Sequence, residues 1–242
     1  MRSLRHGATF AAVLLAPGIA PAQADEPTIR AMMKEKYPDV VVDAVSSTPY
    51  AGLYEIVSAD QIVYTDVNGS FLFVGRIIDA RSGKDLTFER RIELGRVEFD
   101  TLPLPLAIRN VKGNGARRLA VFADPDCPYC RQLELDIADI TDVTVYTFLF
   151  PIESLHPSAG ERAKAVWCST EPAQAWTDLM LKGVTPRAAP ASCEYPGEQL
   201  ASLGRKYNVT GTPTLVFNDG RRVPGLIRRE ELERLLVAPA TR

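Results

Sequence analysis

The feature that most constrains this chain is the motif Cys127-Pro128-Tyr129-Cys130, which places two thiols three positions apart. A short apolar segment before it predicts a buried strand over 119–123, and the residues after it predict a helix over 131–137. A helix N-terminus carries a partial positive charge and free N–H groups, which favour a thiolate over a thiol. Because the thiolate is the species that attacks a disulfide, the motif indicates thiol–disulfide exchange.

The two thiols are predicted to play different parts because they occupy different positions on the helix. Cys127 lies nearer the helix N-terminus and is the predicted nucleophile. Cys130 lies one turn further in, where it is more shielded, and it suits the resolving role. A resolving thiolate attacks the mixed disulfide between Cys127 and a trapped substrate and frees Cys127.

The same motif is also compatible with half of a zinc site or with a purely structural disulfide. Zinc needs further ligands at suitable spacing, and the chain contains only two histidines, His6 and His156. His6 lies in a predicted export signal, and His156 precedes Pro157 in a predicted loop, where a solvent-facing ring is expected. We therefore predict neither a metal nor another cofactor.

Two carboxylates, Asp124 and Asp126, flank Pro125 just before the first cysteine. A carboxylate at this place could raise the pKa of a thiol or assist proton transfer. Turn formation and helix capping explain both residues at least as well. Neither is therefore placed among the predicted catalytic residues.

The first 24 residues have the features of an export signal. Arg2 and Arg5 give a basic start, the segment 8–20 is apolar, and Ala22-Gln23-Ala24 fits a cleavage site of small residues. A transmembrane anchor is the alternative, but the apolar run is short and is interrupted by proline and glycine. We expect a mature, exported chain that begins near residue 25.

The charge of the chain gives no sign of a nucleic acid or an anionic membrane as partner. Cleavage removes two of the 28 basic residues, so that the 30 acidic residues leave a formal net charge of about −4 in place of −2. This balance is mildly acidic, and the charges are dispersed.

The remaining cysteines, Cys168 and Cys193, are predicted to form a structural disulfide. An even number of cysteines in an exported protein favours disulfides over metal ligands. A bridge across 25 positions stabilises a chain by roughly 3–4 kcal/mol in the chain-entropy description. A second redox pair is the alternative interpretation, although neither cysteine belongs to a Cys-x-x-Cys turn.

The segment 25–83 predicts a small α+β domain that contains no cysteine. A helix over 27–37 is followed by predicted strands over 53–57, 62–64 and 71–74. About 60 residues bury too little apolar surface for high stability, so we expect two copies to pair through a sheet edge. A charge-rich segment over 84–104 then predicts a linker helix that ends at prolines.

Strands and helices alternate through the last part of the chain, 105–242, after a predicted turn over 110–115. Besides the strand and helix around Cys127, the pattern predicts strands over 143–150, 214–217 and 221–223 and helices over 161–167, 173–181, 198–207 and 228–237. This order is that of a thioredoxin-like fold with a helical insertion. The predicted fold class is thus α+β in the front domain and α/β in the second.

The segment Gly211-Thr212-Pro213-Thr214 precedes the strand and hairpin of the predicted thioredoxin-like order. In that fold, this place carries a cis-proline that faces the active cysteines. Such a bond would expose the Thr212 backbone for pairing with an extended substrate segment. A plain turn before a strand is the alternative.

The sequence resembles the DsbC-type periplasmic protein-disulfide isomerases, with DsbG as the sibling family. The resemblance covers essentially the whole mature chain, and it rests on the segments 122–130, Phe150-Pro151, 164–168, 190–193, Gly211-Thr212-Pro213 and Val223-Pro224-Gly225. The match of Cys168 and Cys193 to the family's structural disulfide points to DsbC. One departure concerns Pro128, because DsbC-type enzymes usually have glycine there, whereas DsbG carries Pro-Tyr.

This resemblance implies a V-shaped homodimer whose cleft accepts misfolded or mis-oxidised exported proteins in the periplasm. It also implies a membrane thiol reductase of the DsbD type that keeps the active pair reduced. Substrates would contact Thr212 and Pro213 on one side and Pro128 and Tyr129 on the other.

The predicted function is isomerisation or reduction of incorrect disulfides through a mixed disulfide at Cys127. Two alternatives remain open at this point. One is a DsbG-like reductase of sulfenylated cysteines, and the other is a chaperone that binds unfolded chains through a dimer cleft.

Overall fold

The computed structural model describes residues 26–50, 52–58 and 61–237. The predicted export signal, residues 1–24, lies outside the described residues. Two compact units meet in the sequence between Val74 and Gly75. Within the described ranges, no helix is both long enough and apolar enough to cross a membrane.

The first unit packs one helix on a four-stranded antiparallel sheet. Its elements are α1 (Glu26–Lys36), β1 (Ala44–Ser47), β2 (Tyr54–Ser58), β3 (Gln61–Thr65) and β4 (Phe73–Val74). The strands follow one another in the order β1-β2-β3-β4. Ile29 and Met33, one turn apart on α1, are buried against Ile56 and neighbouring apolar side chains of the sheet. The predicted strand over 71–74 is shorter in the structure, and β1 is an element that the pattern did not predict.

The helix predicted over 84–104 is shorter in the structure, where α2 covers Leu86–Leu94. Asp85 caps it by accepting a hydrogen bond from the Phe88 N–H (2.9 Å). The helix ends at Gly95, because glycine disfavours a helix interior and its N–H closes the last turn on the Arg91 carbonyl. Two short 3₁₀ turns, Phe99–Thr101 and Leu104–Leu106, occupy the remainder of the predicted helix.

Residues 75–83, placed with the front domain in the sequence prediction, bond to the start of α2 in the structure. The Leu86 N–H donates to the Ile77 carbonyl (2.9 Å), and the Ile77 N–H donates to the Thr87 hydroxyl (2.9 Å). Residues 75–83 thus group with α2 in the second compact unit.

The second unit is built on a five-stranded sheet with the strand order β5-β7-β6-β8-β9. Its strands are β5 (Ile108–Lys112), β6 (Arg117–Ala123), β7 (Val143–Leu149), β8 (Thr214–Phe217) and β9 (Arg222–Pro224). Strands β6 and β7 are parallel, and the other neighbours are antiparallel. The predicted turn over 110–115 is partly wrong, because residues 110–112 belong to β5 and only the following glycine-rich residues turn. The backbone of residues 110–112 pairs with β7, and the local sequence does not reveal this pairing.

Besides α2, the described part of the second unit contains the helices α3 (Pro128–Ala138), α4 (Ala159–Trp167), α5 (Pro172–Lys182), α6 (Gly197–Lys206) and α7 (Arg229–Leu236). The core includes the stacked rings of Phe122 and Phe148, whose centroids lie 5.1 Å apart. Helices α4 and α5 form the insertion between β7 and α6.

A buried arginine joins the hairpin of β8 and β9 to two helix ends. Arg222 Nε donates to the Gly95 carbonyl (3.2 Å) at the end of α2, and its Nη1 donates to the Asn208 carbonyl (2.7 Å) just after α6. Cations near helix C-termini are favourable because the carbonyls there carry partial negative charge. The Val97 N–H adds a hydrogen bond to the Gly220 carbonyl (2.8 Å) in the hairpin turn.

Candidate active site

The end of β6 and the start of α3 position the two free cysteines. Strand β6 is apolar and fully buried over residues 119–123, as expected for a central strand of an α/β unit. Cys127 is the N-cap residue of α3, and Pro128 occupies the first helical position, where its fixed φ angle suits the helix. The Cys127 N–H donates to the Asp124 carbonyl (3.2 Å), so a tight turn joins the strand to the helix.

The Cys127 sulfur lies against the loop that precedes β8. Its Sγ donates a hydrogen bond to the Thr212 carbonyl oxygen, 3.3 Å away. The Thr212–Pro213 peptide bond is cis. The Pro213 carbonyl accepts a hydrogen bond from the Gly225 N–H (2.7 Å), which ties this loop to the end of β9. The structure therefore brings Cys127, which follows β6, next to Thr212 and Pro213, which precede the neighbouring strand β8.

Cys130 is the more deeply placed thiol, with 1% of its surface exposed against 5% for Cys127. Burial raises the pKa of the Cys130 thiol far above its ordinary value, and the nearby Cys127 adds to that rise. The Asp124 N–H, which donates to Cys130 Sγ (3.4 Å), and the Thr212 side chain lower the pKa in opposition. Both cysteines are free thiols. Cys130 thus needs help to form the thiolate.

The two residues between the cysteines face solvent. Pro128 is exposed, and Tyr129 has 63% of its surface accessible. They follow Cys127 directly at the start of α3.

A partly buried hydrogen bond that the sequence did not predict lies next to the cysteine turn. His156 Nδ1 donates to Asp124 Oδ2 over 3.0 Å, and the Asp124 side chain is fully buried. The prediction that the His156 ring faces solvent is therefore wrong, because the loop after β7 folds back on the end of β6 and brings the ring to Asp124. The only local signal was Asp124 itself, three positions before the first cysteine.

Asp126 takes part in an ion pair, in which Arg162 Nη1 donates to Asp126 Oδ1. The Asp126 N–H in turn donates to Asp124 Oδ1 (2.7 Å). The turn role expected for both aspartates is thus present, together with partners from the loop and from α4 that the sequence did not reveal.

Cys168 and Cys193 are joined by a disulfide of 2.04 Å. Cys168 is the C-cap residue of α4, and Cys193 belongs to a turn in the segment that leads to α6. The bridge therefore closes the helical insertion across 25 positions. Among the described residues, the hydrogen-bond partners of Cys127 and Cys130 include neither Cys168 nor Cys193.

A buried carboxylate occupies the face of α3 one turn after Cys130. Glu134 Oε1 accepts a hydrogen bond from Trp176 Nε1 (2.7 Å) on α5. Burial raises the pKa of Glu134, whereas the Trp176 hydrogen bond and the charge of Lys112 oppose that rise. This contact fixes the active-site helix to the insertion.

Comparison with known families gives two matches that together span most of the chain. Residues 20–88 match the family described as "Disulfide bond isomerase protein N-terminal domain". Residues 104–238 match the family described as "Thioredoxin-like domain".

Individual relatives agree with these families. The probable thiol:disulfide interchange protein DsbC of Bordetella parapertussis is 41% identical over 215 residues, which cover 88% of this chain and 75% of the relative. The thiol:disulfide interchange protein DsbC of Escherichia coli is 26% identical and is covered to 89%, as is this chain. A crystal structure of the disulfide interchange protein from Neisseria gonorrhoeae shares 44% identity with a TM-score of 0.54 and covers 56% of this chain and 96% of that protein.

These matches confirm the predicted fold class and the predicted resemblance to DsbC rather than to DsbG. They also confirm thiol–disulfide interchange by a disulfide isomerase as the function class. The chain therefore belongs to the DsbC family of thiol:disulfide interchange proteins.

Proposed function

We propose that this protein isomerises incorrect disulfides of exported proteins through a mixed disulfide at Cys127. The observation that carries this proposal is the position of Cys127, at the first turn of α3 and 3.3 Å from the Thr212 carbonyl. Helix N–H groups stabilise negative charge on a sulfur at this place. A thiol beside an accessible backbone carbonyl can meet a client disulfide and the client's own backbone at once.

The chemistry begins when the Cys127 thiolate attacks one sulfur of a client disulfide. The client S–S bond breaks, a Cys127–client disulfide forms, and the second client sulfur leaves as a thiolate. If another client thiolate then attacks the mixed disulfide, a new client pairing forms and Cys127 is released unchanged. That sequence is isomerisation, and it requires no net oxidant.

Cys130 acts when the client does not complete the exchange. Its thiolate attacks Cys127 Sγ, which forms the Cys127–Cys130 disulfide and releases a reduced client. The burial of Cys130 supports this division of labour, since a shielded thiol reacts within the protein before it meets a second client.

Substrate contacts are assigned to Thr212, Pro213, Pro128 and Tyr129. The first two form the backbone edge beside the nucleophile, and the last two are exposed next to it. An extended client segment would hydrogen-bond to the Thr212 backbone and pack on the Tyr129 ring.

The disulfide between Cys168 and Cys193 is assigned a structural role. It joins the end of α4 to the segment before α6 and has neither the Cys-x-x-Cys spacing nor a position at a helix N-terminus. We also propose the division into regions that the sequence predicts. Residues 1–24 would direct export to the periplasm, 25–83 (of which 75–83 group with the second unit) would join two copies, 84–104 would connect the parts, and 105–242 would catalyse.

A homodimer and a reductase partner complete the proposal. Phe73 and Val74 in β4, the last strand of the first sheet, and Phe71 just before it expose apolar side chains, and an exposed apolar edge favours pairing with another copy. A DsbD-type membrane thiol reductase would return the Cys127–Cys130 disulfide to two thiols, because only the reduced pair can begin a new cycle.

Refolding of ribonuclease with scrambled disulfides tests this function directly. The reduced protein is expected to restore ribonuclease activity in catalytic amounts, and the Cys127→Ser variant is expected to be inactive. Equal recovery with the protein, with the Cys127→Ser variant and without either would refute the proposal.

A further inference from the structure

We propose that the Asp124–His156 ion pair is a positioning device for the resolving thiol, in which protonated His156 balances the Asp124 charge so that Cys130 can become a thiolate. This inference rests on the proposed resolving role of Cys130. It assigns to His156 a part in thiol–disulfide exchange, at a place outside the cysteine motif and outside the loop of Pro213.

Asp124 connects the two ends of this device. Its backbone N–H donates to Cys130 Sγ (3.4 Å), which is a hydrogen bond that favours the thiolate. Its carboxylate accepts three further hydrogen bonds, from the Asp126 N–H (2.7 Å), the Ile152 N–H (2.7 Å) and His156 Nδ1 (3.0 Å). The carboxylate therefore fixes the turn whose N–H group points at the sulfur.

The burial of the Asp124 carboxylate is what gives His156 its proposed part. The Asp124 side chain has no exposed surface, and a buried carboxylate without a countercharge is costly. Two of its three partners are neutral backbone N–H groups, and the third is the imidazole. Arg162, a cation on the neighbouring helix α4, binds Asp126. The residues of the Thr212 loop, 209–213, carry no charged side chain.

During the resolving step, a Cys130 thiolate would accept a hydrogen bond from the backbone of a residue that itself carries a carboxylate, Asp124. Cys130 gives its proton to solvent, its thiolate attacks Cys127 Sγ, and the bond between Cys127 and the client sulfur breaks. The client sulfur leaves as a thiolate and takes a proton from water, so protons and electrons balance. While the Cys130 thiolate exists, an uncompensated Asp124 carboxylate would raise its free energy, and the imidazolium removes that repulsion.

Ellman's reagent, the disulfide of two thionitrobenzoate (TNB) groups, separates the two steps in the full-length reduced protein. Attack by Cys127 releases one TNB and leaves the other on Cys127, and attack by Cys130 releases the second. The Cys130→Ser variant identifies the phases, because it should show only the first.

His156→Gln keeps a hydrogen-bond donor but removes the cation. We expect the second release to slow by about tenfold and the first to change by less than about threefold, since a shift of one pKa unit changes the thiolate population tenfold. The double variant Asp124→Asn/His156→Gln removes both charges but also loses one of the backbone hydrogen bonds to residue 124, so its second phase is expected to be at least about threefold faster than that of His156→Gln without reaching the original rate. A purely structural role would make the double variant slower still.

Lys182→Gln is the matched control, because it also removes a cation from a carboxylate partner, Asp178 (2.7 Å), but at an exposed site on α5. It is expected to leave both phases unchanged. A second phase within twofold of the original in His156→Gln would overturn the inference, as would a double variant as slow as the single one. If the double variant does not fold, the His156→Gln rates decide alone.

The same experiment separates this inference from the proposed function. Absence of a first phase that depends on Cys127 would refute the role of Cys127 as the nucleophile. A normal first phase with an unaltered second phase in His156→Gln would leave that role intact and refute only the part assigned to the ion pair.

Discussion

The Cys127 thiol and the Thr212 carbonyl are hydrogen-bonded over 3.3 Å, although 85 positions separate them in the chain. This contact places the first sulfur of the motif on the backbone edge of the loop before β8. A client strand that bound this edge in the proposed way would therefore bring its own disulfide to the sulfur.

The two thiols should differ sharply when each is replaced. We expect Cys127→Ser to form no mixed disulfide with oxidised glutathione, whereas Cys130→Ser should accumulate one, because the resolving thiol is missing. Mass spectrometry of the intact protein after acid quenching measures both products. Accumulation on Cys130 in the Cys127→Ser variant at a comparable rate would contradict the assigned roles.

Thr212→Val is expected to slow the resolving step. The Thr212 side chain lowers the pKa of Cys130, and valine has the same shape without the hydroxyl. The second TNB release should fall by about three- to tenfold at neutral pH, which corresponds to the loss of one hydrogen bond to a charged group. The exposed Thr210→Val is the control. Equal rates in both variants would argue against this role of the hydroxyl.

Removal of the second cysteine pair should affect stability more than exchange chemistry. Cys168→Ser/Cys193→Ser opens a loop of 25 positions, and the free energy of unfolding should fall by about 3 kcal/mol. Urea denaturation measures it. Cys127→Ser/Cys130→Ser in the reduced state is the matched control, since those thiols are free. A large loss of TNB release at Cys127 in the first variant would count against a purely structural bridge.

Glu134→Gln should change how stability depends on pH. Burial raises the pKa of Glu134, so on raising the pH above about 4 the unfolded chain loses this proton before the folded chain does, and stability falls. Glutamine still accepts the Trp176 hydrogen bond but has no proton to lose. The stability of the variant relative to the parent should therefore rise between about pH 4 and pH 7 in urea titrations.

The exposed Glu230→Gln is the control for that titration. Its stability should follow the parent at every pH. Parallel curves for Glu134→Gln and the parent would show that the buried carboxyl does not contribute in this way.

Charges on the last strand of the first sheet should prevent dimerisation. We expect Phe73→Lys/Val74→Lys to be monomeric in analytical ultracentrifugation, because lysine on an edge strand opposes pairing with another copy. Val41→Lys replaces a similarly exposed apolar residue outside the strands and should leave the dimer intact. A variant that remains dimeric would place the interface elsewhere.

The sequence was sufficient for the elements that carry strong periodicity or a motif. Strand β8 was predicted with its observed bounds, 214–217, and α3 was predicted from the residues after Cys130, because a buried strand and an amphipathic helix leave clear patterns. Strand β5 was missed, since only Ile108 in it is buried and its order depends on pairing with β7. An edge strand with so few buried residues has a local sequence pattern that resembles a loop.

The site followed the same rule. Cys127, Cys130 and the Thr212–Pro213 bond were all predicted from local motifs. The hydrogen bond between Asp124 and His156 joins residues 32 positions apart. No local sequence pattern shows that the loop carrying His156 folds back onto the end of β6. Site residues that are brought together by tertiary contacts were therefore not predicted from the sequence, whereas those at a helix N-terminus were.

Arg222 gives the second unit a further property. Its guanidinium donates hydrogen bonds both to the Gly95 carbonyl at the end of α2 and to the Asn208 carbonyl after α6. Three positions after Arg222, the Gly225 N–H donates to the Pro213 carbonyl. Displacement of α2 would consequently pull on β9 and, through it, on the peptide beside the reacting sulfur. A single arginine side chain and one backbone hydrogen bond thus couple the position of α2 to that of the Thr212–Pro213 peptide.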